Sequence, residues 1–224
     1  MRATARGWHA DDDPIEVGTR SLARPVTRRG YGAAMPEKEA QEWTAVVLAG
    51  GRGTRMGGTD KLQVLIGGRS LLAHVVDGLP TVVPVVVVGP EQAAPRPVRF
   101  VRESPAFGGP VAALAAALPA VQTSVVGLVG ADMPRAAPLL ARLVVEWSGE
   151  EVLVAVDADG RRQQLCSVWA TAALASALAR LDPPAGHSLR DLLGLLEVTE
   201  RRLDDVESRL LVDVDVPDDL TSLS

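Results

Sequence analysis

The stretch Gly50-Gly51-Arg52-Gly53-Thr54-Arg55-Met56-Gly57-Gly58-Thr59-Asp60-Lys61 holds five glycines, two arginines and a lysine. Glycine lets a backbone take positive φ and approach a charged group without a Cβ clash. Arg52, Arg55 and Lys61 supply the positive charge that a triphosphate requires. The preceding Val46-Val47-Leu48-Ala49 is apolar and β-branched, and reads as a buried strand. A strand that ends in a glycine loop is how a parallel sheet delivers backbone amides to a phosphate. Two better-known loops do not fit. The dinucleotide fingerprint G-x-G-x-x-G starts at Gly51 and Gly53 but meets Met56 where its third glycine belongs. The pattern G-x-x-x-x-G-K-[ST] fits Gly53 and Gly58 but finds Thr59 where lysine is required. The plain alternative is a glycine-rich surface turn; a loop that is strand-fed, long and cationic at once argues against it.

Carboxylates are the second chemical resource. Asp132 lies just beyond the apolar run Ser124–Val129 and precedes Met133-Pro134. A carboxylate at a strand's end, facing a phosphate loop, is placed to hold Mg²⁺; the plain alternative is a helix cap or turn aspartate. Near the C-terminus, Asp213 and Asp215 share one face of a strand if the alternation is extended, and a solvated acidic end reads equally well. Asp218 and Asp219 suit the first turn of a helix, where the dipole favours them. Asp157-Ala158-Asp159-Gly160 is shaped superficially like a calcium loop, but its glycine comes too early and the twelfth position has no glutamate; a polar turn is expected.

The elements that must position these groups follow from periodicity and caps. Ser70 is an N-cap for a helix to about Leu79. Val85–Val88 and Val98–Val101 read as strands, and Pro110 as the first residue of an alanine-rich helix. Ser124–Val129 is a strand, Ala136–Trp147 a helix, and Glu151–Val156 and Gln164–Trp169 a strand pair about a turn. Helices follow over Thr171–Leu181 and, capped by Ser188, to Leu196; Leu210–Val214 is expected as the last strand. Alternating strands and helices imply an α/β, Rossmann-like, three-layer open sheet, mainly parallel, with helices on both faces. Ligands then sit beyond the carboxyl ends of the strands, where the Gly50–Gly58 loop, Gly89-Pro90, the Glu103–Pro110 loop and Asp132 are expected to converge.

Composition agrees. The 224 residues are 47% hydrophobic but only 3% aromatic, so the core is built from Val, Leu and Ala. A net charge of −5 argues against a nucleic-acid partner, and no run is long enough to span a membrane. Cys166 is the single cysteine, so neither an internal disulfide nor a cysteine metal cluster is available. A cytoplasmic protein is expected. Residues 1–42 combine Asp11-Asp12-Asp13, scattered arginines, glycines and prolines, and no sustained period. They read as a disordered N-terminal tail, with Met35 an alternative start, and residues 43–224 as a single domain.

The stretch from Leu48 to Lys61 resembles the signature of the nucleotidyltransferase superfamily, and Arg55-Met56-Gly57-Gly58-Thr59-Asp60-Lys61 is most similar to molybdenum cofactor guanylyltransferases. That resemblance implies a nucleotidyltransferase-type fold and transfer of GMP from GTP to the phosphate of molybdopterin, with release of pyrophosphate and use of Mg²⁺. GTP and the molybdopterin cofactor are the implied partners, with molybdoenzyme maturation proteins beyond them. The resemblance supports Asp132 as a metal ligand and implies Asp215 as the second. It aligns Arg102-Glu103-Ser104-Pro105-Ala106-Phe107-Gly108-Gly109-Pro110 with a nucleotide-binding segment in which the family has aspartate where this chain has Glu103. Where the family often has an asparagine after the second strand, this chain has Val88-Gly89-Pro90. Gly186-His187-Ser188-Leu189-Arg190 is similar to a basic segment of the acceptor-binding half. His187 and Arg190 are thereby candidates for the pterin phosphate; a helix cap and a surface charge are the plain reading. The expected roles are then catalysis by Arg52, Arg55, Lys61 and Asp132, and nucleotide binding by Leu48, Ala49, Gly50, Gly51, Gly53, Lys61, Glu103, Gly108, Gly109 and Asp132. The alternatives are a cytidylyltransferase on the same cofactor, a nucleotidyltransferase on another small phosphate, and a non-catalytic nucleotide-binding module. His74 is expected to be an ordinary helix-surface residue.

Overall fold

The computed structural model describes residues 41–50 and 65–211. The described elements belong to one unit, Lys38–Ser224. The chain opens with β1 (Trp43–Leu48), then a small hairpin of β2 (Leu65–Ile66) and β3 (Arg69–Ser70), and α1 (Leu71–Gly78). Next come β4 (Val85–Val88), β5 (Arg99–Val101), α2 (Pro110–Ala117), β6 (Val125–Gly130) and α3 (Ala137–Glu146). The second half holds β7 (Val152–Val156), β8 (Arg162–Ala170), α4 (Thr171–Arg180), α5 (Leu189–Leu193), β9 (Val198–Arg202) and α6 (Asp205–Ser208).

Seven strands form one sheet in the order β5-β4-β1-β6-β8-β7-β9. β1 pairs in parallel with β4 and β6, β4 with β5, and β7 with β9; β8 runs antiparallel to both its neighbours. The sheet is therefore mainly parallel, as expected, with one reversed strand. Every residue of β4, β6 and β7 is buried, because helices cover both faces. Alternate side chains feed two cores. Ala45 and Val47 of β1 join Leu72, Val75, Leu139, Leu140 and Leu143 beneath α1 and α3. Val46 joins Val111, Leu114, Leu174, Leu178 and Leu192 beneath α2, α4 and α5. Glycine makes room for one of the buried tryptophans. A Cβ on Gly127 of β6 would come within 2.6 Å of the Trp43 ring, so glycine there admits the indole between sheet and α3.

Local chemistry sets the helix starts. Ser70 Oγ accepts from the Ala73 N–H at 3.2 Å, and Pro110 is the first residue of α2. Ser188 and Asp191 form a reciprocal capping box on α5. His74 does more than sit on a helix surface: its Nε2 is 2.9 Å from the Ile66 carbonyl and ties the β2–β3 hairpin to α1. The expected turn at Asp157–Gly160 is present. Asp157 accepts from the Arg161 N–H at 2.8 Å and from Gln163 Nε2 at 2.7 Å, and these hydrogen bonds hold its carboxyl below the usual range.

Three expectations are corrected. β9, Val198-Thr199-Glu200-Arg201-Arg202, is a strand that periodicity did not mark, since it is polar and half-exposed. It joins by parallel pairing with β7 from Val152↔Val198 to Val156↔Arg202. Leu210 and Leu211, expected to begin a strand, lie in a 3₁₀ turn over Arg209–Leu211. The capped helix α6 delivers the chain into that turn, and Leu211 packs into the core. The rest of the expected strand, Val212 to Val214, lies outside the described residues. The helix expected from Ser188 to Leu196 also ends sooner, at Leu193, with tighter turns through Leu196.

Candidate active site

The order of the strands creates the site. The chain leaves β1 for β4 and β5 on one side, then crosses back to place β6 on the other side of β1. The strand order therefore reverses at β1, the kind of switch point where open α/β sheets bind ligands, and a cavity lies at the carboxyl ends of β1 and β6. Leu48 is paired with Gly130, and the Ala131 N–H donates to the Leu48 carbonyl at 2.9 Å. That bond carries the ladder one residue beyond β6 and sets Asp132 beside the exit of β1. A Cβ on Gly130 would fall 2.5 Å from Asp132 Oδ1 and 3.3 Å from Leu165 Cδ1. Glycine there leaves the space that the Asp132 carboxylate occupies.

On the other flank, Ala49 donates to Val88 O at 2.9 Å and Gly89 to Val101 O at 3.0 Å. A Cβ on Gly89 would come within 2.7 Å of the Ala49 carbonyl, so the second strand's exit packs directly on the first. β5 leads into the Glu103 loop. Glu103 Oε1 accepts from the Phe107 N–H at 3.1 Å and lies 3.7 Å from where a Cβ on Gly50 would stand. Its carboxylate thus reaches across to the start of the glycine loop while clamping its own. Gly109, at φ 94°, turns that loop into α2. The Gly186 N–H donates to the Gly108 carbonyl at 2.8 Å, which joins the loop to the segment before α5.

These contacts enclose a cavity of about 540 Å³, lined among others by Leu48, Gly50, Glu103, Gly109, Asp132 and Gln164. Five positions singled out in the sequence therefore line one cavity, at the strand ends where convergence was expected. Ala49 is buried below it, and Gly108 holds the Gly186 contact behind it. Arg52, Arg55, Lys61, Gly51, Gly53 and Asp215 lie outside the described residues. His187 and Arg190 are not among the lining residues. The His187 carbonyl faces Gly109, and its neighbours Ser188 and Leu189 line the cavity instead. Arg190 lines a second cavity of about 650 Å³ with Arg161, Arg162 and Glu200, and Gln164 borders both. Arg162 is engaged there by Glu200 at 2.7 Å.

Gln164, Leu165, Ser188 and Leu189 are lining residues that the sequence does not single out, and Phe107 is one it includes only as part of the Glu103–Pro110 loop. Their chemistry is ordinary; the arrival of β8 beside β6 brings Gln164 and Leu165 to this edge and that of α5 beside α2 brings Ser188 and Leu189, while Phe107 stands on the loop between β5 and α2. Cys166 is buried in β8, and burial pushes its thiol up to about 12, so it is not a nucleophile at neutral pH. Among the described residues, no three His, Cys, Asp or Glu side chains gather as a metal cage.

The comparisons with known proteins agree with this geometry. The family described as MobA-like NTP transferase domain matches residues 45–205. A molybdenum cofactor guanylyltransferase of Rhizobium leguminosarum bv. trifolii is 34% identical over 166 residues, 71% of this chain and 78% of that protein. One from Vibrio cholerae is 29% identical over 134 residues; the alignment spans 58% of this chain and 66% of that relative, just under two thirds of its length. Among solved structures, the molybdopterin-guanine dinucleotide biosynthesis protein A of Archaeoglobus fulgidus superposes with a TM-score of 0.62 at 21% identity, over 80% of this chain and 95% of that one, and shares the fold. With more than half of its length matched, from within β1 to the start of α6, this chain belongs to the MobA-like NTP transferase domain family.

Proposed function

We propose that the chain transfers GMP from GTP to the phosphate of molybdopterin cofactor and releases pyrophosphate. One observation carries the reading: Gly50, Glu103, Gly109 and Asp132 line a single cavity at the carboxyl ends of β1 and β6, where the cationic glycine loop begins. The named relatives support it. In this reading an acceptor phosphate oxygen attacks the α-phosphorus of GTP. A new P–O bond forms, the α–β bridge breaks, and its electron pair leaves with pyrophosphate. The acceptor is already anionic, so no side chain need serve as nucleophile. The difficulty is bringing two anions together.

Arg52, Arg55 and Lys61 stabilise charge on the departing pyrophosphate, and glycine-loop amides orient the triphosphate. Asp132, with Asp215, is the set that holds Mg²⁺, and the space beside Gly130 fits a carboxylate aimed at the cavity. The chemistry such a cation supplies is neutralisation of repulsion between phosphates. Discrimination falls to the backbone of Leu48, Ala49 and Gly50 and to the Glu103–Gly109 loop. Guanine offers N1–H and N2–H₂ donors beside an O6 acceptor, and carbonyls with the Glu103 carboxylate are acceptors for those donors. His187 and Arg190 belong to the acceptor side of this reading. Gln164 is where the two cavities meet, so an acceptor extending from Asp132 towards Arg190 passes it.

Calorimetry with Mg²⁺ is expected to show GTP binding more tightly than CTP or ATP, and molybdopterin with GTP to release pyrophosphate. Tighter binding of CTP would assign a cytidylyltransferase instead. Binding without pyrophosphate release, with authentic cofactor supplied, would favour a non-catalytic module. A cytoplasmic location and onward delivery to molybdoenzyme maturation proteins belong to the same reading. Among the described residues, no helix is long and apolar enough to cross a membrane.

A further inference from the structure

Phe107 is in an unusual place for a phenylalanine. The chain has only two, with one tyrosine and four tryptophans. Trp43 and Trp169 are buried in the core, yet Phe107 is 60% exposed. Among the described residues it is also the one non-glycine residue with positive φ, 61°, a region that bulky side chains rarely adopt. A residue held so is a reason to look for function.

Its surroundings hold it there. Its N–H is donated to Glu103 Oε1 at 3.1 Å. The next N–H, of Gly108, is donated to the Pro105 carbonyl at 3.1 Å. A Cβ on Gly108 would lie 2.9 Å from both that carbonyl and the Ala112 side chain, so the turn after Phe107 packs closely enough to require glycine there. The outcome is an aromatic side chain on the wall of the cavity that also holds Leu48, Gly50, Glu103 and Asp132.

We infer that Phe107 is a stacking wall for the base of the bound nucleotide. The inference rests on the nucleotide reading above. Phe107 and Glu103 are joined by their hydrogen bond on the β4–β5 flank of β1, where Glu103 reaches Gly50, whereas the Asp132 carboxylate packs by Gly130 and Leu165 on the β6 flank. In the nucleotide reading Glu103 meets the base, and the ring stands on the same short loop, with its own N–H on that carboxylate. An aromatic face binds a base through stacking and does not discriminate by edge. Glu103 and the backbone then select guanine, while Phe107 adds affinity for any base. A nucleotide without a base gains nothing from it.

Phe107→Ala and Phe107→Leu, the second keeping apolar bulk without the ring, are titrated with GTP and with inorganic triphosphate in Mg²⁺ by calorimetry. Both variants are expected to weaken GTP roughly 10-fold or more and to leave inorganic triphosphate unchanged. In Phe107→Trp, emission is expected to be quenched by GTP beyond the wild-type change, and not by triphosphate. Unchanged GTP affinity in both truncations overturns the inference, as does equal weakening of GTP and triphosphate, which would make Phe107 a loop-shaping residue. Weakening of molybdopterin alone overturns it too, since the ring would then face the acceptor. Failure of the wild type to bind GTP overturns the nucleotide reading itself, and this inference with it.

Discussion

In the proposed reaction Asp132 and Lys61 have different roles, and their variants separate them. Asp132 stands at the end of β6 with its carboxylate in the space left by Gly130. Asp132→Asn keeps that shape and removes the charge. It is expected to abolish Mg²⁺-dependent pyrophosphate release with little change in melting temperature, and Asp215→Asn to weaken it. Normal turnover in both would place the metal elsewhere. Lys61→Ala removes one preorganised cation, and turnover is expected to fall roughly 10²–10³-fold, on the order of 3–4 kcal/mol. A lower melting temperature with normal turnover would instead mark Lys61 as structural. Glu103 shows why a residue-level match does not transfer a contact unchanged. One of its oxygens already accepts from the Phe107 N–H, so the extra methylene serves a clamp within its own loop as well as any contact with the nucleotide.

At the level of elements, the edge strand β9 carries a charge network to α3 and α6 beside its pairing with β7. Arg201 on β9 pairs with Glu146 of α3 at 3.1 Å and with Glu207 of α6, and Arg142 of α3 reaches Glu207 at 2.9 Å. The Glu207 side chain is only 9% exposed. Asp204 caps the same helix, accepting from the Glu207 N–H at 2.8 Å. Hydrogen bonds from Arg201 hold the Glu207 carboxyl below its ordinary value of 4.5. The folded state therefore binds this proton less readily than the unfolded chain, so the group's stabilisation is fully present above about pH 4.5 and is lost as pH falls through the folded value. Glu207→Gln is expected to cost about 1.5–3 kcal/mol at neutral pH. Melting curves between about pH 6 and pH 3 should show that gap narrowing with acid. A gap that is constant across the range would show that the carboxylate's charge contributes nothing.

For the molecule as a whole, the described elements from β1 onward account for both cores and for the cavity. We propose that the working domain begins near residue 43, on the strength of the polar, aperiodic sequence before it. Removal of residues 1–40 is then expected to leave melting temperature and GTP affinity nearly unchanged. A substantial loss of either would mean that the N-terminal segment contributes to the domain.

The features legible in the sequence were those whose cause is local. A glycine-rich run after an apolar strand, Ser70 and Ser188 as caps, Pro110 at a helix start and Asp132 just beyond a strand each depend on a few neighbouring residues. They placed most elements and five of the positions around the cavity. Tertiary structure decided what depends on distant partners. Val198–Arg202 has no apolar face to announce it, and becomes a strand because β7 offers an unpaired edge. β8 runs against its neighbours because a short turn from β7 returns it beside β6. That reversal brings Gln164 and Leu165 to the cavity, and the docking of α5 brings Ser188 and Leu189. Phe107 is the clearest case: its identity suggested nothing beyond an aromatic in a loop. Its exposure beside Glu103 and Gly50 follows from the close packing of the Pro105–Gly108 turn, which no spacing of residues along the chain encodes.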